Sequence, residues 1–254
     1  MLDDTYCIEI EKLNGSYNYD SGYGLNIFVQ HDEINDTDNK DIYFCSDYTI
    51  KQCSNEVNFC INYLLLELLN GIKISLGYRK FIPIYENAKM KNLKNHIKAY
   101  NIVSNMHVPI YEYSSNNKTE ILLKEVINSQ ILKDLLILLH RVSIDNENIL
   151  INSYKIYDFA KTYENLYRKH NKHNSSEISN LSASIKDLDS YSHLSNNYLS
   201  SGLVSRHGLT NHKPTNKEIN ALNILESSRK VVNELLKLNS IYENKFDFLL
   251  AISK

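Results

Sequence analysis

The fold of the C-terminal half is decided by residues 215–238, TNKEINALNILESSRKVVNELLKL. Thr215 and Glu218 have the spacing of a reciprocal capping box, and Pro214 resists helical extension further upstream. Apolar residues then recur at steps of three and four or their sums: Ile219, Leu222, Leu225, Val232, Leu235 and Leu236. The pattern predicts a long amphipathic helix that spans about Asn216 to Leu238.

Three further helical stripes precede that helix, beginning at about Thr119. The first contains Ile127, Ile131, Leu135, Leu138 and Val142. The second contains Leu150, Tyr154, Tyr157, Ala160, Tyr163 and Tyr167, and the third, weaker stripe contains Ile178, Leu181, Ile185 and Leu188. Four such helices are enough for an antiparallel bundle in which the apolar stripes bury one another. We interpret the tyrosines as packing residues of the core and its rim, because that is more common than a base-stacking platform.

The N-terminal region has a different pattern, with strands and turn residues. Three segments are rich in β-branched and aromatic residues and are separated by Asn, Asp, Gly and Ser. They are therefore predicted strands: Tyr6–Leu13, Gly24–Gln30 and Ile42–Cys45. A helix is predicted over Asn55–Asn70, closed by Gly71, and further strands are possible at Lys73–Tyr85 and Val108–Tyr113.

The predicted fold class is therefore α+β in two domains. Residues 1–118 are predicted to form a small mixed domain whose role, as a sensor, a partner-binding domain or a regulator, is unknown. Residues 119–254 are predicted to form an all-α four-helix bundle. With 254 residues the chain is long enough for this division, and 7 Gly and 3 Pro argue against a turn-dense all-β fold.

The charge of the chain excludes a generally basic surface for nucleic acid. The formal net charge is −2, so any contact with RNA must be local. The densest basic run comprises Lys89, Lys91, Lys94 and Lys98 with His96 among them. We interpret it as the solvated face of a helix, which is more common for charge runs than phosphate binding.

Cytoplasmic location without a membrane span is the expectation from the sequence. The acidic start Met1–Thr5 lacks the plan of a secretory signal. The longest apolar segment, Ile61–Leu69, is interrupted by Asn62 and Glu67 and is shorter than the roughly 20 residues of a membrane helix.

The four cysteines are candidate ligands of a metal ion, but their spacing in the sequence is not that of a metal-binding motif. They are Cys7, Cys45, Cys53 and Cys60, and no two of them form a Cys-x2-Cys pair. We therefore expect no metal site, no cofactor and no disulfide.

The residues most typical of a chemical function are Ser205-Arg206-His207-Gly208-Leu209-Thr210-Asn211-His212, immediately before the predicted last helix. A guanidinium binds phosphate with several fixed donors and keeps its charge, whereas histidine exchanges a proton near neutral pH. Arg168 and His173 have the same spacing, but they run into the polar stretch Asn174–Ser176, which is typical of a helix end. We interpret this second pair as solvated.

The segment Arg206-His207-x4-His212, followed by an amphipathic helix, resembles the HEPN superfamily, whose motif is arginine, a polar residue, and histidine four to six positions after the arginine. The resemblance covers about the last half of the chain, and the helix count agrees with it. Many members have glycine after the final histidine and asparagine before the arginine, where this chain has Lys213 and Ser205.

The resemblance implies metal-independent cleavage of RNA to 2′,3′-cyclic phosphate and 5′-hydroxyl ends, within a twofold dimer whose two motifs share one cleft. Catalysis would fall to Arg206, His212 and His207. Histidine would move the proton of the 2′-hydroxyl or of the departing 5′-oxygen, while Arg206 would neutralise the phosphate. We expect Ser205, Asn211 and Lys213 to contact RNA. DNA lacks the 2′-hydroxyl and should therefore not be cleaved.

Three alternatives remain open from the sequence. The first is an endoribonuclease of the toxin or antiviral-defence kind, with an antitoxin or defence protein as a possible partner. The second is a non-catalytic HEPN-like scaffold or a subunit that binds RNA or a nucleotide. The third is a helical interaction module in which the motif arises by chance.

Overall fold

The computed structural model of the protein describes residues 7–10, 19–20, 24–31, 40–78, 92–107, 117–170, 176–209, 213–214 and 218–241. The chain divides into two compact units, Met1–Asn128 and Ser129–Lys254. The protein is α+β, as the sequence predicts, with its strands in the first unit and helices in both.

The first unit contains a four-stranded antiparallel sheet with the order β1-β4-β3-β2. The strands are β1 (Ile8–Ile10), β2 (Tyr19–Asp20), β3 (Leu25–His31) and β4 (Lys40–Ser46). Ile8 of β1 lies opposite Phe44 of β4, and Ile27 of β3 lies opposite the same phenylalanine on its other side. The predicted strands are confirmed except for their bounds, and β2 has no counterpart in the prediction.

Three helices complete the described part of this unit: α1 (Asn55–Ser75), α2 (Leu93–Ser104) and α3 (Lys118–Val126). Helix α1 packs on β1 and β4, and both α2 and α3 pack on α1. A buried hydrogen-bond pair joins α1 to the sheet, because Asn62 Oδ1 accepts from the backbone nitrogen of Ser46 at 3.0 Å and from its Oγ at 2.6 Å. Since α3 contacts α1, it belongs to the first unit, although its sequence pattern groups it with the later helices.

The end of α1 corrects the sequence prediction. Gly71 does not close the helix but lies buried inside it, and residues 73–75, assigned to a possible strand, are helical. Gly77 closes the helix instead, with φ of 83°. The nitrogen of Tyr78 then reaches the carbonyl of Lys73 at 3.0 Å, which satisfies an end carbonyl that has no helical partner. The possible strand Val108–Tyr113 lies outside the described residues, as does most of Lys73–Tyr85.

Helix α1 is longer than the predicted apolar segment. Of the helices that the structure describes, it alone is long and apolar enough by composition to cross a membrane, with a mean hydropathy of 1.2, and 89% of that stretch is buried inside the protein.

The described part of the second unit contains four long α-helices, one short α-helix and a 3₁₀ turn. They are α4 (Gln130–Ile144), α5 (Ile149–His170), α6 (Ser176–Ser195), α7 (Tyr198–Ser201) and α8 (Ala221–Ile241), with a 3₁₀ turn at Gly202–Val204. Helices α4, α5 and α8 pack against one another, and α6 packs against α5 and α8. The predicted stripes are buried in the interior: Leu135, Val142, Leu150, Ala160, Tyr163, Leu181, Ile185 and Leu188.

Two helix starts differ from the prediction because side chains cap the backbone at other places. Ser129 Oγ accepts from the nitrogen of Leu132 at 3.4 Å, so α4 begins after a break at residues 127–129 that the continuous stripe concealed. In α8, Asn220 Oδ1 accepts from the nitrogen of Asn223 at 3.1 Å. The predicted capping box is wrong, because Glu218 precedes the helix instead of lying in its first turn.

The later start of α8 also changes its buried face. Ile219 and Leu222, which the predicted stripe includes, are exposed. Val232 and Leu235 of the predicted stripe are buried, and Ile224, Val231, Leu238, Ser227 and Ser228 are buried with them. A polar link supports this packing, since Ser227 Oγ donates to Asp187 Oδ2 of α6 at 2.9 Å.

Candidate functional site

The motif lies in the segment 196–220 that joins α6 to α8, here called the motif connection. Ser205, Arg206, His207 and Lys213 are described, and the last three are exposed. Asn211 and His212 lie outside the described residues. The connection begins at Asn196, later than the predicted Ser190, because α6 continues to Ser195.

Two hydrogen bonds fasten the base of the loop that carries the motif. The nitrogen of Arg206 donates to the carbonyl of Ser195 at 2.6 Å, and Asn197 Nδ2 donates to the carbonyl of Lys213 at 2.6 Å. Both anchors are supplied by residues at the end of α6, and Asn197 is buried. Residues 206 and 213 are thereby both held to the end of α6, while His207, Gly208 and Leu209 are exposed.

The guanidinium of Arg206 rests on an aromatic ring of α5. Its Cζ lies 4.1 Å from the centroid of the Tyr154 ring, and its Nε donates to His207 Nε2 at 3.1 Å. Among the described residues, no carboxylate forms an ion pair with this arginine. A cation–π contact orients a cation without neutralising it. Arg206 is therefore a positioned, exposed positive charge.

A second tyrosine supports that ring. Tyr154 and Tyr157 are neighbours on α5, with ring centroids 5.8 Å apart and tilted planes. Desolvation by burial, together with a hydrogen bond to Asp189 of α6, raises the pKa of Tyr157 to about 12. The Tyr157 phenol is therefore uncharged at neutral pH.

The motif residues also form a short internal hydrogen bond. Ser205 Oγ donates to the carbonyl of His207 at 2.5 Å, so the serine shapes the turn. His207 Nε2 accepts from Arg206, which requires that this ring nitrogen is unprotonated in the observed arrangement.

The second arginine–histidine pair has a different environment. Arg168 Nη2 lies 3.0 Å from Glu164 Oε1 and 2.8 Å from Ser182 Oγ, while Lys161 Nζ lies 2.9 Å from Glu164 Oε2. Glu164 is only 5% exposed. Burial alone would raise its pKa, but hydrogen bonds from Ser182, Lys161 and Arg168 hold the pKa below its usual value. This cluster fastens α5 to α6, and His173 lies outside the described residues.

The other candidate residues, the lysine run and the four cysteines, belong to the first unit. Lys94 and Lys98 are exposed on α2 in the first unit, and Lys89 and Lys91 lie outside the described residues. Cys7, Cys45 and Cys60 are buried, and Cys53 is partly exposed. Within the described ranges, no three His, Cys, Asp or Glu side chains gather in a way that could hold a metal ion.

Large apolar side chains surround the motif on the surface of the second unit. Leu203 is 93% exposed and Leu209 is 78% exposed, and four further residues of the same region are also exposed: Tyr198, Leu199, Ile219 and Leu222. Single exposed apolar residues are ordinary, but among the described residues of this segment and the start of α8 six are exposed, four leucines, one isoleucine and one tyrosine.

Sequence reasoning missed Tyr154 and Asn197 as parts of this site. Tyr154 belongs to a packing stripe, and nothing in the spacing of α5 distinguishes its ring from the buried Tyr163 and Tyr167. Asn197 is one of many asparagines in a polar segment. Its burial is the distinguishing signal, and that signal requires coordinates.

Comparisons with family models, with curated proteins and with solved structures find no match to this chain.

Proposed function

We propose that the protein is a metal-independent endoribonuclease that resembles the HEPN superfamily, and that its four long C-terminal helices form the four-helix bundle of that superfamily. The observation that carries the proposal is Arg206. It is exposed, it has no carboxylate partner among the described residues, and an aromatic ring and a backbone hydrogen bond hold it beside His207.

The environment of Arg206 suits the binding of a phosphate diester. A guanidinium donates several parallel hydrogen bonds to phosphate oxygens, and charge develops on those oxygens as the 2′-hydroxyl attacks. An arginine already engaged by a carboxylate would have to break that pair first. Arg206 needs only to exchange the Nε contact with His207 for a phosphate oxygen.

The two proton transfers fall to histidine in this proposal. One imidazole accepts the proton of the ribose 2′-hydroxyl, and another donates a proton to the departing 5′-oxygen. His212 follows the motif spacing, and His207 is placed beside Arg206. The products are a 2′,3′-cyclic phosphate and a 5′-hydroxyl. The substrate is RNA, and the enzyme acts in the cytoplasm. Ser205, Asn211 and Lys213 flank the reacting groups and contact the RNA.

A homodimer through the helical unit completes the site. One motif supplies a single arginine and two histidines, which is few for phosphate binding and two proton transfers together. The exposed leucines of the motif connection support a twofold contact that also brings Arg206 and His212 of both subunits into one cleft. The N-terminal unit would then regulate the nuclease or bind an antitoxin or defence partner, as in a toxin or antiviral effector.

A second candidate is a non-catalytic protein that binds RNA through the same surface. The hydrogen bond from Arg206 Nε to His207 Nε2 favours it, since the lone pair of that ring nitrogen is already used. The departures at Ser205 and Lys213 from the commoner pattern favour it as well.

The test is cleavage of total RNA by the purified full-length protein in the presence of a chelator. We expect cyclic phosphate ends, and we expect both Arg206→Ala and His212→Ala to lower the rate about 100-fold or more, as for the loss of one transition-state donor. Arg168→Ala is the matched control, because it removes the arginine of the same spacing and should leave the rate within about threefold.

The outcomes separate the two candidates. Equal residual activity in wild type and both motif variants would mark a contaminating nuclease and reject the proposal. Wild-type protein that dimerises and retains RNA, but leaves it intact, would favour the binding protein instead.

A further inference from the structure

Two of the four cysteines face each other across the N-terminal sheet. Strands β1 and β4 are antiparallel, with Ile8 opposite Phe44 and Ile10 opposite Ile42. The same register places Cys7 opposite Cys45. Residues directly opposite in an antiparallel pair have Cα atoms about 4.5 or 5.5 Å apart. Both separations lie within the span of about 4.4–6.8 Å that a disulfide bridges.

The two thiols already interact. Cys45 Sγ donates a hydrogen bond to the carbonyl of Ser46 at 3.7 Å, and the Cys7 side chain lies within hydrogen-bonding reach of Cys45. Both cysteines are 6% exposed. The hydrogen bond from Cys7 lowers the pKa of Cys45 and outweighs the opposing effects of burial and of the charge of Asp47.

Cys60 provides the internal contrast. It is wholly buried in α1, where desolvation and the charge of Glu56 raise its pKa. A buried thiol with a raised pKa is chemically inert. Of these two buried cysteines, Cys45 therefore has the more readily ionised thiol.

We propose that Cys7 and Cys45 form a reversible cross-strand disulfide in response to a hydroperoxide. The Cys45 thiolate attacks one peroxide oxygen, the O–O bond breaks, and Cys45 becomes a sulfenic acid while an alcohol or water departs. The Cys7 sulfur then attacks the sulfenic sulfur, which releases water and forms the S–S bond. Two thiols lose two electrons and two protons in total, and the peroxide accepts both electrons.

The position of the pair gives the modification a structural effect. Strand β1 has three described residues and lies at an edge of the described sheet, so a peroxide reaches Cys45 on the neighbouring strand β4 when β1 frays. Oxidation then ties β1 to the central strand β4 and closes a long chain loop. Disulfides inside cells are commonly transient and redox-sensing, which agrees with a pair that is reduced at rest.

The test is treatment of the folded full-length protein with hydrogen peroxide, followed by alkylation, unfolding and digestion without reductant. We expect a peptide that joins Cys7 to Cys45, with loss of two of the four thiols and full recovery in dithiothreitol. The oxidised protein should unfold about 10 °C higher than the reduced one. Cys53→Ser is the matched control and should leave the cross-link unchanged.

The variant Cys7→Ser removes the resolving thiol. Cys45 should then remain a sulfenic acid that dimedone traps, with no cross-link. A wild-type cross-link that involves Cys53 or a second molecule, or retention of both Cys7 and Cys45 as thiols while Cys53 oxidises, would overturn the proposal. Because this readout does not involve RNA, the disulfide proposal can be confirmed or rejected independently of the nuclease proposal.

Discussion

Arg168 and Arg206 begin the same sequence pattern, yet the structure gives them opposite surroundings. Arg168 lies against a buried carboxylate, with Glu164 and Ser182 as its partners at the seam of α5 and α6. Arg206 lies on the ring of Tyr154, with no carboxylate among its partners in the described residues. The first arginine is used for packing, whereas the second keeps its charge available to a ligand.

The comparison teaches that spacing between an arginine and a histidine does not decide function. What matters is whether the guanidinium is already neutralised by a carboxylate. A buried charge such as that of Glu164 must be paired, and it holds its cation in place. A ring such as that of Tyr154 orients a cation but leaves its donors able to reach an anion.

The largest expected effect lies in the region of Arg168. Glu164→Ala should lower the free energy of unfolding of the second unit by about 2 kcal/mol, because it removes charged hydrogen bonds from Ser182, Lys161 and Arg168. Denaturant unfolding measures this change. RNA cleavage below the unfolding range should stay near wild type, and a selective loss of activity would break the distinction between the two regions.

The stabilisation by Glu164 should also depend on pH in one direction. Because the folded-state pKa is lowered, the stabilisation is present above the unfolded value of about 4.5 and is lost as pH falls through the folded value. Melting curves of wild type and Glu164→Ala should therefore converge in acid. A constant difference across this range would show that the carboxylate charge contributes nothing.

The next effect concerns the aromatic support of Arg206. Tyr154→Leu should slow RNA cleavage about tenfold, since the loss of a partly desolvated cation–π contact leaves the guanidinium poorly positioned. The decrease should appear in kcat more than in KM. Tyr154→Phe keeps the ring and should stay within about twofold of wild type. Equal losses in both variants would assign the effect to the hydroxyl instead.

A smaller effect is expected at the base of the motif loop. Asn197→Ala should lower the free energy of unfolding by about 1 kcal/mol, because it removes a buried hydrogen bond to the carbonyl of Lys213. Hydrogen exchange of residues 205–209 should become faster in this variant. Unchanged exchange would mean that the bond between Arg206 and Ser195 holds the loop by itself.

The smallest effect should be the stability of Arg206→Ala. The side chain is exposed and has no ion pair among the described residues, so its removal should change the free energy of unfolding by less than about 0.5 kcal/mol. Thermal unfolding checks this value. A loss comparable to that of Glu164→Ala would show that Arg206 is also a structural residue.

The sequence predicts the elements of the helical unit better than their ends. The stripes of α4, α5 and α6 arise from local periodicity, and their residues are buried as expected except for Tyr154 and Tyr157 of α5, which are partly exposed. Helix ends depend on single side chains that compete for the same backbone groups. Asn220 caps α8 in place of Thr215, and Gly77 closes α1 in place of Gly71.

The surroundings of the candidate site are less predictable because they are set by tertiary contacts. The motif itself is visible in the sequence, but Tyr154 and Arg206 lie on elements far apart in the chain. Glu164 and Ser182 are also far apart in the chain, and their hydrogen bond is part of the cluster that pairs Arg168 with a carboxylate, unlike Arg206. Sequence periodicity predicts which face of a helix is buried. It does not predict which residues of other elements contact that face.

The arrangement of the sheet has a consequence for solubility at high concentration. Among the described residues, the two longest strands, β3 and β4, have seven residues each and lie in the middle of the sheet, while β1 and β2 at its edges have three and two. Short edges offer few backbone groups to a neighbouring chain, so they discourage growth of the sheet from molecule to molecule. Detachment of β1 would uncover β4, and the protein would then gain a seven-residue template for fibrous assembly.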